Sequence, residues 1–196
     1  MARTPSRQNM IDATARLLME RGYFGTGIHE VLEASGAPRG SMYYHFPGGK
    51  EQLAVEAVQQ SGEHVRALLA QVFAETDDLG TAMERVVGFF AEQLRSSEYS
   101  HGCPVAPVVL VPDGLEELPG VVGGTFGGWH DVVAARLRET GVSEERAESV
   151  AWLALSALEG ALLVSRARRD VTPLLRAGAE IAAQLRSLPR PDQETT

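Results

Sequence analysis

The apolar positions of this 196-residue chain recur at helical spacing almost from end to end. In "SRQNMIDATARLLMERG", Ile11, Ala15 and Leu18 fall at i, i+4 and i+7. Gly22 follows where a helix can stop on a left-handed residue. Thr26 is placed as the N-cap of a short second helix whose Ile28, Val31 and Leu32 face inward. "ASG" breaks that helix. Pro38 suits the first position of a third, because its missing N–H has no partner there. The third helix is predicted to run to about His45, where "FPGG" cannot continue it. A long helix follows from about Gly49 to Glu75, weakened at Gly62. The next carries Met83, Val86, Val87, Phe90 and Leu94 on one face. From Ser96 to Gly128, four prolines and many glycines predict short or broken helices. "WHDVVAARLRET" is helical again up to Gly141. Ser143 then caps a long helix to about Arg169, with Glu144 and Glu145 placed favourably in its first turn. A last helix runs from Val171 to Leu188. The one β-like run, "VVLV" at Val108–Val111, is short and lies between prolines. The pattern is that of an all-α protein.

Composition adds bounds. A hydrophobic fraction of 44% and a charged fraction of 22% are ordinary for a soluble globular protein. No secretory leader and no apolar run long enough to span a bilayer is read from the sequence. A single cysteine cannot form an internal disulfide, which suits the cytoplasm. The net charge of −8 argues against a nucleic-acid binder until the chain is divided. Residues 1–50 hold six basic and four acidic side chains, and the remainder twelve and twenty-two. A basic head on an acidic body leaves only the head able to face DNA.

That head contains "GAPRGSMYYHFPGGKEQL" (residues 36–53), including Lys50, the only lysine in the chain. Three short helices, the last two joined by a tight glycine turn, predict a helix-turn-helix with Pro38–His45 as the groove-reading helix. Arg39 can fork onto guanine or a phosphate. Gly40 lets backbone approach base edges. Ser41, Tyr43, Tyr44 and His45 can donate to phosphates. Met42 and Phe46 point the other way, onto a core with Leu18, Ile28 and Leu32. Lys50 opens the next helix, where a cation opposes the helix dipole unless an anion lies nearby. Adjacent residues on a helix diverge by about 100°, so Tyr43 and Tyr44 cannot both be core.

"TGIHEVLEASGAPRGSMYYHFPGGKEQL" resembles the DNA-binding signature of the TetR family of bacterial repressors. Thr26, Gly36, Gly40, Tyr43, His45, Phe46, Lys50 and Leu53 match its spaced positions in order. Ala37-Pro38 replaces the usual Val-Ser, and "FPGGK" is one residue longer than usual. Together with "GCPV" downstream, these departures resemble the LmrA/YxaF-like branch, some of whose members respond to flavonoids or other planar aromatic drugs. The resemblance implies a DNA-binding head at residues 1–48, with Thr26, Pro38, Arg39, Gly40, Ser41, Tyr43, Tyr44, His45 and Lys50 at the DNA. It implies an effector-binding and dimerisation body at 49–188, followed by a polar tail at 189–196. Thr26 can then be both cap and phosphate contact. Phe90, Cys103, Phe126, Trp129 and His130 fall where the family builds its effector cavity. The final two helices would form a four-helix dimer interface through Leu153, Ala157, Gly160, Ala161, Val164, Leu175, Gly178, Ala179 and Ala182. The partners implied are double-stranded operator DNA, a small hydrophobic or planar aromatic effector and a second copy of the chain, with no membrane.

Plainer readings stand beside these. Cys103 reads as a buried, inert thiol, and His101 with Cys103 lacks further ligands at metal spacing. "GGTFGG" lacks the following Lys-Ser/Thr and the preceding strand of a phosphate loop, so it is expected to be a deformable stretch near a pocket. The body's aromatics can be ordinary core, and the small residues of the last two helices can serve packing within one chain. A helical enzyme or carrier is the competing class. It would need a catalytic set, and no paired carboxylates, triad or metal spacing is found. No cofactor is expected. A repressor is the main reading, and an activator or dual regulator stays open.

Overall fold

The computed structural model describes residues 6–110 and 115–188. The polar tail and Val111 of "VVLV" lie outside them. Eight α-helices follow one another and, among the described residues, there is no strand. They are α1 (Ser6–Arg21), α2 (Ile28–Ser35), α3 (Ser41–His45), α4 (Gly49–Ala74), α5 (Leu79–Ser96), α6 (Leu118–Glu139), α7 (Glu144–Arg168) and α8 (Thr172–Arg186). A 3-10 turn, Ala106–Val108, precedes α6.

The described residues form two compact units, one within Met1–His64 and Cys103–Phe126 and the other within Val65–Gly102 and Gly127–Thr196. The expected boundary after residue 48 therefore falls inside the first unit. Half of α4 and the first part of α6 pack with the head.

In the first unit α1 packs on α2, and Met10, Leu17, Leu18, Val31, Met42, Phe46 and Leu53 are buried. The 3-10 turn lies against α1. A Cβ at Gly22, whose φ is +69°, would sit 2.6 Å from the Pro107 carbonyl oxygen, so both backbone conformation and space require glycine there. Gly62 has a similar role. A Cβ there would meet Thr125 Cγ2 at 2.5 Å, so the expected weak spot in α4 is where α6 comes closest.

Three local expectations change. The third helix is shorter than predicted, because Pro38–Gly40 is a turn in which both the N–H and the hydroxyl of Ser41 donate to the Pro38 carbonyl, at 3.0 and 2.7 Å. Thr26 is not the cap of α2. That position belongs to Gly27, whose N–H donates to Glu30, while the buried Thr26 hydroxyl donates to the Gly22 carbonyl at 2.8 Å. "GGTFGG" is not broken, and α6 runs through all five of its glycines as one 22-residue helix. Each glycine costs about 1 kcal/mol relative to alanine, and tertiary packing outweighs that local preference.

In the second unit α8 packs along both α5 and α7. The α5–α8 contact is close because small residues permit it. A Cβ on Gly178 would lie 2.5 Å from Val87 Cγ2, and one on Gly80 would lie 2.8 Å from the Ala182 carbonyl. Asp78 caps α5 through Gly80 N–H and also meets Arg186 of α8 at 3.3 Å. Arg136 of α6 donates to the carbonyls of Phe73, in the last turn of α4, and of Thr76, just beyond it. The expectation of no membrane-length apolar run does not hold by length and composition. An 18-residue window of α7 has mean hydropathy 1.5, with a third of that window buried. One side of that helix packs within the unit, through Ala147, Val150, Ala151, Ala154, Ala161, Leu162 and Ser165.

Candidate nucleic-acid interface

The recognition element is built from very little chain. α3 has five residues, barely more than one turn, and cannot be stable alone. Met42 and Phe46, both fully buried, anchor it. Opposite them, Tyr43 and Tyr44 are 66% and 81% exposed. Such exposure of two adjacent aromatics has no packing purpose, whereas phenol hydroxyls held out from a fixed turn can reach a phosphate backbone. His45 packs edge-on to Tyr44, with ring centroids 5.0 Å apart. Gly40 is exposed, and a Cβ there would meet nothing within 4 Å, so its lack of a side chain serves no contact inside the protein.

Arg39 lies in the exposed turn before α3, with Nη2 3.4 Å from His29 Nε2 of α2. Pro38 is exposed beside it, and Ser41 is held in its own turn. Lys50 is half-buried with its ammonium 4.2 Å above the Tyr23 ring, and burial pulls its pKa below the usual lysine value. Thr26 is buried with its hydroxyl turned to Gly22. The exposed set is thus Pro38, Arg39, Gly40, Tyr43 and Tyr44, while Thr26 is enclosed and Lys50 rests on a ring.

Sequence reasoning did not single out the residues that hold this element. Gly48 N–H donates to Gln52 Oε1 at 2.9 Å, Gln52 donates to Glu56 at 3.1 Å, and Arg7 of α1 pairs with Glu56. The α4 first turn is therefore fixed by a polar chain reaching back to α1. An acidic and amide-rich first turn after "GGK" was the available signal.

The residues expected at an effector site divide between the units. Phe90, Trp129 and His130 belong to the second, and Cys103 and Phe126 to the first. Cys103 is buried, and its sulfur accepts the N–H groups of Val105 and Ala106. His130 is held on three sides: Nδ1 is 3.1 Å from Asp131, Nε2 is 3.2 Å from Glu148, and its ring stacks on Trp152 at 4.1 Å. Among the described residues no group of three or more His, Cys, Asp or Glu is placed to hold a metal.

Among the residues expected at a dimer interface, Leu153, Gly160, Val164, Leu175 and Ala179 are exposed, and Ala157 is half-buried. Ala161, Gly178 and Ala182 instead pack inside the subunit. Trp152 and Leu163, which were not expected at this surface, are 46% and 54% exposed.

Comparison with known proteins bears on this arrangement. The family described as "Bacterial regulatory proteins, tetR family" matches residues 10–57. "Transcriptional regulator LmrA/YxaF-like, C-terminal domain" matches residues 80–180, more than half the chain. This chain belongs to the TetR family, in its LmrA/YxaF-like branch. LmrA of Bacillus subtilis is 36% identical over 87% of this chain and 91% of its own. An HTH-type transcriptional regulator of Mycobacterium tuberculosis is 39% identical over 86% and 88%. A TetR regulatory protein from Rhodobacter sphaeroides superposes with a TM-score of 0.81 at 21% identity, over 92% of this chain and 98% of that one. The family-regulator CifR, solved with a 26-base-pair operator duplex, gives 0.79 at 20% identity over 96% and 100%. These two share the fold. TetR-family proteins are transcriptional regulators with a helix-turn-helix, not enzymes, and the resemblance read from residues 26–53 agrees with the whole-chain match.

Proposed function

We propose that this TetR-family regulator is a homodimeric, cytoplasmic repressor that binds a near-palindromic operator and is released by a small hydrophobic or planar aromatic effector. The observation that carries the DNA-binding part is the recognition turn, with two exposed phenols and an exposed guanidinium on an element anchored by two fully buried side chains. Two copies would place their α3 helices in successive major grooves, ~34–36 Å apart for half-sites one turn apart. The acidic remainder of the chain keeps other surfaces off the duplex.

The second copy is assigned to the outer face of α7 and α8. Trp152, Leu153, Leu163, Val164 and Leu175 leave an apolar surface there, beside a groove of about 600 Å³ lined by Leu153, Ala157 and Ile181 among others. Burying such a surface against its own copy satisfies the apolar content of α7 without a membrane. The effector reading draws support from Phe90 and Trp129, both buried on the long helices of the second unit. CifR bound to its operator shows the same fold on DNA.

The test is fluorescence anisotropy of a labelled duplex from upstream of the protein's own gene, at two salt concentrations, beside a scrambled duplex. Saturable binding that prefers the native duplex and weakens with salt is expected. Titration of that complex with flavonoids should release the DNA. If selection from random duplexes also recovers no preferred sequence, the operator reading fails. A reporter that falls when the protein is removed would make it an activator instead.

A further inference from the structure

The first unit contains a contact that neither the family comparison nor the recognition motif explains. Glu51, in the first turn of α4, reaches the start of α6. Its Oε1 accepts the N–H of Glu117 at 3.0 Å and of Leu118 at 3.3 Å. Those amides are among the orphan donors of α6, and a carboxylate is the group best suited to them, since it also complements the helix dipole. The cap therefore comes from another helix, 66 residues earlier in the chain.

Glu51 also lies at the root of the recognition element. It follows Lys50, whose ammonium sits over Tyr23, and it faces Tyr23 closely enough to raise that phenol's pKa, second to burial. Between α3 and α4 lie only Phe46, Pro47 and Gly48. Gly49 N–H donates to the Phe46 carbonyl at 2.9 Å, so the first turn of α4 and the end of α3 are joined directly. Two further close approaches hold the same segment to the head: Pro107 on Gly22, and Thr125 on Gly62. α6 then runs without a break to Glu139, past Trp129 and His130.

We infer that Glu51 is a positioning residue for DNA binding: by capping α6 it ties the start of α4, and with it α3, to the helix that continues into the second unit. The inference rests on the proposed DNA-binding role. Glu51 is given no DNA contact, since a carboxylate is repelled by phosphates. Its contribution is to orient Tyr43, Tyr44 and Arg39 through the backbone that follows them.

The sign of the effect makes the test decisive. Deleting a carboxylate near a DNA-facing surface should, by charge alone, tighten binding. A positioning role predicts the opposite for Glu51→Ala and not for Glu51→Gln, because the glutamine carbonyl still accepts the two N–H groups while lacking the charge. Both full-length variants would be compared with the native protein by hydrogen exchange and by anisotropy on the selected duplex. Glu51→Ala is expected to speed exchange at Glu117 and Leu118 and at the Phe46 and Gly49 amides. It should weaken duplex binding about tenfold with an unchanged salt slope. Glu51→Gln should bind at least as tightly as the native protein. If Glu51→Ala opens the α6 amides yet binds as well as the native protein or better, the inference is overturned. It is also overturned if Glu51→Gln keeps those amides protected but loses affinity like alanine. Slow exchange throughout α7 and α8 would show that Glu51→Ala remains folded. If the native protein binds no duplex, the DNA-binding proposal fails by itself, and the Phe46 and Gly49 amides still decide whether the tie reaches the recognition element.

Discussion

The recognition turn and the α5–α8 contact solve opposite problems. Around α3, two large side chains are buried while two others are exposed, and the proposed function lies in what the exposed ones carry. Along α5 and α8, the smallest residues occupy the closest contact, and their value lies in what they lack. Tyr44 says directly what it can do, because a phenol outside a core is a donor waiting for a partner. Gly178 says only that something comes near. Whether that something is α5 of the same chain or α8 of a second copy depends on which face of the helix it occupies. Chemistry is written in residue type, whereas packing is written in residue type and geometry together.

Substitutions can sharpen the contrast, and the largest effect is expected at an anchor. Phe46→Ala should cost about 3–5 kcal/mol and loosen the head, while the neighbouring Tyr44→Ala should leave stability within about 0.5 kcal/mol. The exposed residue should instead show its effect as a several-fold loss of duplex affinity. Denaturant unfolding and anisotropy on both variants would separate the two roles. Equal stability losses would break the comparison.

Gly178→Ala comes next. Its new methyl meets Val87, a β-branched neighbour with little rotamer freedom, and about 1–3 kcal/mol of destabilisation is expected in thermal unfolding. Gly160→Ala is its counterpart, because a Cβ there meets nothing within 4 Å inside the subunit. Helix propensity alone would give a gain of about 1 kcal/mol. If Gly160 faces a second copy closely, as proposed, sedimentation should show weaker association instead, and a rise in dimer stability would remove it from the interface.

Asp78 offers a pH-dependent probe of the α5–α8 contact. The Thr81 hydroxyl, then the Arg186 guanidinium and the Gly80 N–H, hold its carboxyl below the ordinary aspartate value. A depressed pKa stabilises the fold above the unfolded-state value, and that stabilisation is lost as pH falls through the folded one. Asp78→Ala should therefore cost about 1 kcal/mol near neutrality as a lost cap, and the gap from the native protein should close in acid. Thermal unfolding of both proteins across acidic pH would show a gap independent of pH if the carboxylate charge is irrelevant. Thr14 should show the smallest effect. Its hydroxyl is buried with no hydrogen-bond partner, so Thr14→Val should raise stability by about 0.5–1 kcal/mol, measured by denaturant midpoint.

Much of the fold was legible because helical periodicity is a local property. The ends of α4 and α7 were read to within a residue or two, and Met42 and Phe46 were assigned to the core from their spacing. The errors share one cause. Five glycines and Pro119 made α6 look broken, yet it runs as one helix, with Glu51 at its first turn and its Thr125 against Gly62. Pro38 looked like a helix start, yet Ser41 closed a turn back onto it. Thr26 had the chemistry of a cap, but its hydroxyl donates to the Gly22 carbonyl and the cap position falls to Gly27. Ala161, Gly178 and Ala182 had the size expected of an interface, but lie on the inner sides of their helices.

What the sequence determined by itself was the helical class, the core positions of Met42 and Phe46 and the family, since each depends on residues close together in the chain. Tertiary structure decided which small residues face inward and where the compact units divide. It also decided how α3 is held. Those outcomes depend on donors, acceptors and close contacts contributed by residues tens of positions apart, and no local pattern records which distant partner a helix end or a bare glycine will meet.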